Sequence, residues 1–429
     1  MRWLLAAIGL CLLVTSAHAE DVSRRLLPNG VRLIAKPDMG TDVAAIEVLL
    51  DVSAADEPAD KVGIRYLTQR LLLRGTTNES GDSMAQRLSK VGGLCDASVG
   101  LDYVELYVLV PADGFELAVS LVADMLRHPA FLPDQVEKQK EQSAAAARAS
   151  EDDPFQAVYQ ALRDGLYRDH SYHRPTFGDP RSLAGISRED IAAFHQAFYR
   201  PSRTVVAVCG GVSETRALRA VRSGLGDWRA DLASPRPRED IAPITSSEVV
   251  ARELPGQRAQ VMVGFLAPAA GEPGYYQLQV LDSLLTGRSS ARLPKLIREQ
   301  LGLAYEVSSF CPTLAGPSHF AIYVITDPYS VEAVRSAVLE ALARIRTEPP
   351  SVAEVERAKR FLVGSYALGH QRMRDQAYAL AWYEILGLGS DFGDRYLAAI
   401  ETITPAQVQA TANAILQQPI IAVTMPTDQ

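Results

Sequence analysis

Arg298 and Tyr305, seven positions apart in the second half of the sequence, are two side chains that could act on a carbonyl group. A guanidinium offers several fixed donors to a carbonyl oxygen, and a phenol can donate to an oxyanion in a site that excludes water. Their spacing alone is more typical of an arginine at a helix C-terminus followed by a half-buried strand tyrosine. The pair therefore indicates a substrate-holding site only where the surrounding sequence supports one.

Histidines and cysteines do not add a clear second site. His170 and His173 lie close together, but the other histidines show no metal-ligand spacing around them. No G-x-S-x-G sequence is present to hold a serine nucleophile. Cys95, Cys209 and Cys311 are typical of small apolar residues in or near strands, and whether any two of them pair stays open.

Composition excludes several classes of protein. The chain has 429 residues, of which 47% are hydrophobic and 22% charged, and its formal net charge is −8. These values are typical of a globular protein and not of collagen-like, coiled-coil or disordered chains. The negative net charge argues against nucleic acid as a partner, because phosphate-binding proteins usually carry a basic surface. The sequence contains no run of 18 apolar residues, so it predicts no membrane-spanning helix.

The N-terminal residues have the three parts of a secretory signal peptide. Met1-Arg2 is a short basic start, residues 3–14 are largely apolar, and Ala17-His18-Ala19 is typical of a cleavage site. A buried N-terminal helix is the alternative interpretation. The pattern predicts that residues 1–19 are removed and that the protein is periplasmic or secreted.

The remaining sequence mixes the spacing of strands with that of helices. Strands are predicted at residues 31–35, 43–50, 103–110, 204–209, 259–265, 320–326 and 420–424. Helices are predicted at residues 63–74, 83–91, 115–127, 133–148, 275–285 and 331–346. Helices placed between paired strands favour the α+β class over a regular parallel sheet.

The two halves of the chain look like copies of one unit. Residues 136–140 correspond to residues 355–359, and residues 186–187 correspond to residues 403–404 at nearly the same offset. Residues 229–245 separate the halves and are rich in proline and polar residues, as inter-domain linkers are. The sequence therefore predicts two domains of about 200 residues, at residues 20–228 and 246–429.

Residues 63–76, with the sequence GIRYLTQRLLLRGT, resemble the zinc-binding helix of the pitrilysin (insulinase-like) metallopeptidases, whose inverted motif is H-x-x-E-H. Segments similar to that family follow in order at residues 92–97, 103–109, 151–154, 170–173, 198–201 and 302–305. The resemblance covers essentially all of the chain after residue 19. It implies an α+β fold of two homologous domains, each an antiparallel-rich sheet with packed helices, arranged as a half-clamshell.

The sequence departs from the family at the residues that would bind and use zinc. Tyr66 and Arg70 occupy the positions of the two histidines, and Gln69 occupies that of the general base. The third ligand position of the family aligns with Ala146. These side chains offer no zinc ligand set, and Arg70 would place a positive charge where the cation should lie. We therefore expect no catalytic zinc and no zinc cofactor on this chain.

The pattern is similar to one half of the heterodimeric peptidases of the family, which include the processing peptidases. There a zinc-free subunit supplies an Arg/Tyr pair, which the resemblance places at Arg298 and Tyr305, and a homologous H-x-x-E-H subunit carries the zinc. The resemblance implies a non-catalytic subunit of a zinc peptidase for unfolded peptides, inactive by itself. A structural protein or a peptide-binding protein of the same fold, with no role in hydrolysis, is the alternative.

Overall fold

The computed structural model of this chain describes residues 22–229 and 239–427. The predicted signal peptide at residues 1–19 lies outside these residues, as does the middle of the predicted linker at 229–245. Among the helices of the described ranges, none is both long enough and apolar enough to cross a membrane.

The strands form two sheets. Six strands make the first sheet: β1 (Ser23–Leu26), β2 (Arg32–Pro37), β3 (Val43–Leu50), β4 (Leu94–Val99), β5 (Val104–Pro111) and β6 (Thr204–Gly210). Five strands make the second sheet: β7 (Glu248–Leu254), β8 (Ala259–Ala267), β9 (Ala304–Phe310), β10 (Ser318–Thr326) and β11 (Ile420–Pro426). Each sheet draws its strands from one half of the chain.

Helices occupy much of the remaining described sequence. The helices of the first half are α1 (Ile64–Leu71), α2 (Gly81–Lys90), α3 (Phe115–Arg127), α4 (Pro133–Asp152), α5 (Pro154–Tyr167), α6 (Pro180–Gly185), α7 (Arg188–Phe198) and α8 (Glu214–Leu225). Those of the second half are α9 (Tyr275–Thr286), α10 (Val331–Thr347), α11 (Val352–Gly369), α12 (Met373–Ile385), α13 (Phe392–Thr402) and α14 (Pro405–Ile415), and a π-helical segment spans Pro294–Gln300. The predicted α+β class is confirmed.

The two sheets share one topology. The first has the order β1-β2-β6-β3-β5-β4 and the second the order β7-β11-β8-β10-β9. In each sheet the last strand of the half pairs in parallel with an early strand, as β6 does with β2, the second strand of its half, and β11 with β7, the first strand of its half. The other neighbours are antiparallel. Apart from β1, every strand of one sheet therefore has a counterpart in the other.

The repeated helix starts have the same local cause in both halves. Ser187 caps α7 in a capping box: its hydroxyl oxygen accepts from the backbone N–H of Asp190, and the Asp190 carboxylate accepts from the backbone N–H of Ser187. Thr404 and Gln407 form the same arrangement at the start of α14. Capping boxes satisfy N–H groups that have no partner within the helix, so the two segments matched in sequence begin their helices alike.

Each sheet is covered on one face by helices of its own half and on the other by a helix of the opposite half. Helix α12 packs its residues Ala377, Ala381 and Trp382 against the first sheet. Helix α5 packs Val158 and Leu162 against the second sheet. Because each sheet buries apolar side chains on both faces, the two halves stabilise each other through these exchanged helices.

Candidate functional site

Helix α1 carries the three residues that the sequence resemblance aligns with zinc histidines and a general base: Tyr66, Gln69 and Arg70. It begins after Gly63, which has a φ of 95°, and a Cβ atom there would lie 2.7 Å from the Cα atom of Gly178. Only glycine fits this backbone conformation and this close approach without strain. The glycine fixes where α1 starts and therefore which residues face β4 and α4, the elements packed beside it.

Gln69 is fully buried and serves as a structural link between elements. Its Nε2 atom donates to the backbone oxygen of Glu105 at 2.5 Å, and its Oε1 atom accepts from the hydroxyl of Tyr199 at 2.9 Å. The amide thus pairs both of its polar atoms with protein groups. A glutamine also has no proton-accepting carboxylate at neutral pH, so it cannot serve as a general base for water.

Tyr66 and Arg70 also make contacts that differ from metal ligation. The ring of Tyr66 packs edge-to-face on Phe177, with ring centroids 4.9 Å apart. The Arg70 guanidinium donates to an Asp96 carboxylate oxygen at 2.6 Å and to the backbone oxygen of Ala97 at 2.7 Å. Arg70 therefore holds its positive charge over strand β4.

Helix α4 brings Ala147, the neighbour of the predicted third ligand position Ala146, to the same region. Ala146 is half-buried, whereas Ala147 is buried and lines a cavity of about 610 Å³ together with Tyr66. We call this space the α1–α4 cavity. Strand β4 contributes part of its wall, and Arg252 of β7 closes another part, with its guanidinium 2.6 Å from an Asp164 oxygen.

Side chains in this region do not fit a zinc ion. Throughout residues 22–229 and 239–427, no group of three or more His, Cys, Asp or Glu side chains could hold a metal. Tyrosine, glutamine, arginine and alanine at the motif positions supply neither imidazole nor carboxylate ligands. The described His, Asp and Glu side chains of this region are therefore not grouped as zinc ligands.

His170 and His173 stabilise a short turn in this structure. The Nδ1 atom of His170 accepts a hydrogen bond from the backbone N–H of Tyr172 at 3.1 Å. The Nδ1 atom of His173 lies 3.0 Å from the backbone oxygen of His170. Local backbone contacts of this kind order a turn, and they give the two rings no shared metal position.

Strand β4 forms the free edge of the first sheet next to the α1–α4 cavity. It pairs with β5 on one side, and no described strand pairs with its other side. Its residues Ala97, Ser98 and Val99 line the cavity. An exposed edge presents backbone N–H and C=O groups that an extended peptide can pair with, as in strand addition. At Ala97 the edge is already occupied, because the Ala97 oxygen accepts from Arg70 and the Ala97 N–H donates to the Asp96 carboxylate. Strand addition beside the α1–α4 cavity would therefore displace these two side chains.

The structure places Arg298 and Tyr305 on the corresponding edge of the second sheet. Arg298 lies in the π-helical segment, with 40% of its side chain exposed and its guanidinium 3.6 Å from Glu299. Tyr305 lies on edge strand β9 and is 49% exposed. Gly302, with a φ of 64°, forms the turn between them. Both side chains therefore reach solvent from adjoining elements, although no described hydrogen bond joins them.

Tyr305 is held in position by its neighbours. Its hydroxyl donates to the Asp327 carboxylate, with oxygen distances of 3.0 and 3.2 Å. The guanidinium of Arg258 lies 3.6 Å from the centre of its ring. A phenol that already donates to a carboxylate must exchange that partner before it can donate to a substrate oxygen.

A buried pair of acids on the first sheet was not predicted from the sequence. Glu47 of β3 is fully buried, and neither of its oxygens accepts from a described donor. Burial, followed by the neighbouring Glu105, raises its pKa well above the usual range, while Arg374 of α12 opposes the rise. Arg374 donates to Glu105 at 2.9 Å. The only indication of this pair in the sequence is that each of two apolar strands contains one acid, Glu47 in β3 and Glu105 in β5.

Two thiols are poorly reactive in this structure. Burial raises the pKa of both Cys95 and Cys311 to about 12, and neither forms a disulfide bond. A thiol at such a pKa is almost entirely protonated at neutral pH and is therefore a weak nucleophile.

Family models match most of the chain. Residues 32–180 match the model described as the insulinase family, peptidase family M16, and residues 185–362 match the model described as the peptidase M16 inactive domain. An uncharacterized zinc protease of Mycobacterium leprae is 28% identical over 407 residues, which cover 94% of this chain and 91% of that protein. An uncharacterized zinc protease of Bacillus subtilis is 25% identical over 347 residues, covering 81% and 84% respectively.

Solved structures share the fold at lower sequence identity. A protease from Helicobacter pylori superposes with a TM-score of 0.90 at 19% identity, covering 95% of this chain and 100% of that one. A peptidase M16 inactive domain from Pseudomonas fluorescens gives a TM-score of 0.87 at 21% identity, covering 95% and 99%. The paired sheets and exchanged helices described above are therefore an architecture found in other solved proteins.

Proposed function

This chain belongs to the insulinase (M16) family of peptidases and lacks that family's zinc ligands, and from this we propose that it is the non-catalytic subunit of a heterodimeric zinc peptidase. Its partner would be a homologous chain that carries H-x-x-E-H and the zinc ion. This chain would complete the chamber that encloses unfolded peptides and would contribute Arg298 and Tyr305 to substrate binding. The proposed location of the pair is the periplasm or the extracellular space.

The observation that carries the proposal is the environment of Gln69. Its two hydrogen bonds tie α1 to strand β5 and to Tyr199, so the position of the general base is built into the packing of the domain. The adjacent Arg70 is paired with β4. A site of this composition supports a role in assembly and substrate binding, and hydrolysis must then come from another chain.

Features useful for holding a peptide accompany this loss of ligands. The edge of β4 borders the α1–α4 cavity, and strand addition there would bind a peptide mainly through its backbone. Arg298 and Tyr305 would donate to the scissile carbonyl in the partner's active site, where the partner's zinc would activate water. Their exposure on this chain is compatible with donation to a group outside it.

Affinity capture tests the proposal directly. The tagged chain is purified from its native cells, and its companions are identified by mass spectrometry and quantified. Near-equimolar recovery of an H-x-x-E-H homologue would support the heterodimer. Repeated recovery of this chain alone, together with peptide binding by the purified chain in calorimetry, would instead favour the peptide-binding alternative. Peptide hydrolysis by the isolated chain with one bound zinc would refute the proposal.

The role of the Arg/Tyr pair is tested in the assembled complex. We expect Arg298→Gln and Tyr305→Phe each to lower kcat by about 100-fold or more, since removal of one oxyanion donor typically has that effect. Arg335→Gln is the matched control, because Arg335 is likewise a partly exposed arginine that pairs with a neighbouring glutamate. Unchanged kcat in both variants would leave this chain a structural role only.

A further inference from the structure

A second cavity, of about 690 Å³, lies where the two halves of the chain meet. Its wall includes the loop before β5, the loop before β10 and helices α9, α11, α12 and α13. Seven tyrosines, one tryptophan and one phenylalanine line it. We call it the aromatic cavity. It shares only Tyr159 with the described lining of the α1–α4 cavity, so the two are separate spaces.

The aromatic side chains form contacting groups that come from both halves of the molecule. Tyr103 from the first half lies 4.8 Å from the ring of Trp382 and donates or accepts a hydrogen bond of 2.7 Å with the Tyr378 hydroxyl. Across the cavity, Tyr383 lies 4.9 Å from Phe392. Such mutual packing holds rings in fixed orientations, so the cavity is a formed site and not a collapsed apolar core.

Charge distinguishes this cavity from the α1–α4 cavity. Asp375 is the one acidic residue in its described lining, which contains no lysine or arginine. The α1–α4 cavity, in contrast, contains Arg163 and Arg252. Within the described residues, no hydrogen bond or ion pair joins Asp375 to a protein group. A carboxylate in an aromatic cavity without a protein cation leaves a place for a cation from outside.

The tyrosines keep the cavity neutral apart from this carboxylate. Burial raises the pKa of Tyr103 and Tyr275 to about 12, and it also raises that of Tyr378. Neutral phenol rings present electron-rich faces that attract an organic cation. His370 adds a polar group, because its buried Nε2 atom has no described partner while Nδ1 lies 2.7 Å from the backbone carbonyl oxygen of Tyr366, which can only accept. Nδ1 is thus the protonated nitrogen, and Nε2 accepts.

We propose that the aromatic cavity binds an organic cation, with Asp375 as its counter-ion and the aromatic rings as its walls. A guanidinium or alkylammonium group suits this surface, because it can stack on the rings while one N–H donates to the carboxylate and another to His370 Nε2. If this chain holds peptides as proposed above, the group is the side chain of an arginine or lysine in the peptide. A free small cation has the same chemistry.

Calorimetry on the full-length chain with blocked peptides tests the proposal. The probe is an acetylated, amidated alanine pentapeptide with a central arginine, and citrulline at the same position provides a neutral control of nearly equal shape. We expect the arginine peptide to bind at least tenfold more tightly than the citrulline peptide. Arginine amide and tetramethylammonium, measured in parallel, show whether a free cation suffices or the peptide backbone is needed.

Asp375→Asn removes the charge with little change in shape and should abolish the preference for arginine over citrulline. Asp82→Asn is the matched control, because Asp82 also lies in the first turn of a helix but does not line the cavity. Equal affinity for the two peptides, no binding of either, or an unchanged preference in Asp375→Asn would each overturn the proposal.

Failure of the cation site and failure of the proposed function can be told apart. Cation binding is measured on this chain alone, whereas the heterodimer is established by capture of its partner and by hydrolysis. An assembled, active heterodimer with no arginine preference in this chain would reject the cation site and keep the proposed function. Arginine-selective binding by a chain that recovers no partner would do the reverse.

Discussion

Replacement of Glu47 by glutamine should make the protein more stable at neutral pH. Glu47 is fully buried beneath helix α12, and its described carboxylate oxygens receive no hydrogen bond. Glu105 faces it from β5 and Arg374 from α12, while Tyr103 and Tyr378 lie within its electrostatic range. Burial raises its pKa well above the usual range, so the folded protein keeps a proton on this group that the unfolded chain releases.

The sign of the pH effect follows from this difference in bound protons. Above the unfolded pKa of about 4.3, the folded state binds more protons at Glu47 than the unfolded state does. The free energy of unfolding therefore falls as pH rises toward the folded pKa, by up to about 1.4 kcal/mol for each pH unit. Glu47→Gln keeps the shape of the side chain but removes its titratable group. The free energy of unfolding of the variant should therefore not show this decline with pH.

Urea denaturation at pH 5, 6 and 7, followed by circular dichroism, measures the effect. We compare the free energy of unfolding of Glu47→Gln with that of the unsubstituted protein. The difference, variant minus unsubstituted protein, should increase by about 1 kcal/mol or more for each pH unit. Glu340→Gln is the control, because Glu340 is an exposed glutamate on α10. A difference for Glu47→Gln that stays constant from pH 5 to 7 would refute the reasoning and show that Glu47 is ionised in the folded protein.

Other properties of the chain can be tested with the same preparations. Metal analysis of the isolated chain after dialysis against zinc-containing and then zinc-free buffer should find well under one zinc per chain, because the helix lacks ligands; one equivalent would contradict this. Gln69→Ala should lower the free energy of unfolding by about 2–3 kcal/mol, since it leaves the Glu105 carbonyl and the Tyr199 hydroxyl buried without partners; a loss under 0.5 kcal/mol would show that the site relaxes. Burial lowers the pKa of His319 to about 3. As the pH falls, the unfolded chain is therefore protonated at His319 before the folded chain is. The free energy of unfolding should fall between pH 6.5 and 3, by up to about 1.4 kcal/mol per pH unit. His319→Gln should reduce that fall in urea denaturation, and an identical pH profile would contradict the prediction.

Much of the secondary structure follows from local sequence. The predicted helix at residues 115–127 coincides with α3, and the predicted strand at residues 43–50 coincides with β3. Both segments have clear periodicity, and a single face of each explains its pattern. Strand β4 was missed because LCDASV mixes polar and apolar residues, and its pairing with β5 decides its conformation. Helices α5 and α12 were missed as well, since their burial depends on sheets of the opposite half.

In the candidate sites too, some features follow from local sequence and others depend on tertiary packing. That Tyr66, Gln69 and Arg70 offer no zinc ligand set was inferred from sequence, because ligand chemistry belongs to residue type and the spacing along one helix is local. What those side chains do instead was not evident. Gln69 reaches strand β5, and the neighbour of Ala146 lines the cavity, because helix packing sets which residue faces inward.

The sequence by itself determined the fold class, the duplicated pattern and the residue types that helix α1 carries at the motif positions, because each depends on residue types at short spacing. Only the tertiary structure decided the burial of Glu47 and the formation of the aromatic cavity. Tyr103 and Tyr378 are 275 positions apart, yet their hydroxyls lie 2.7 Å from each other. Groups so distant in sequence acquire their environment and charge only when the two halves pack, since desolvation is a property of the packed molecule.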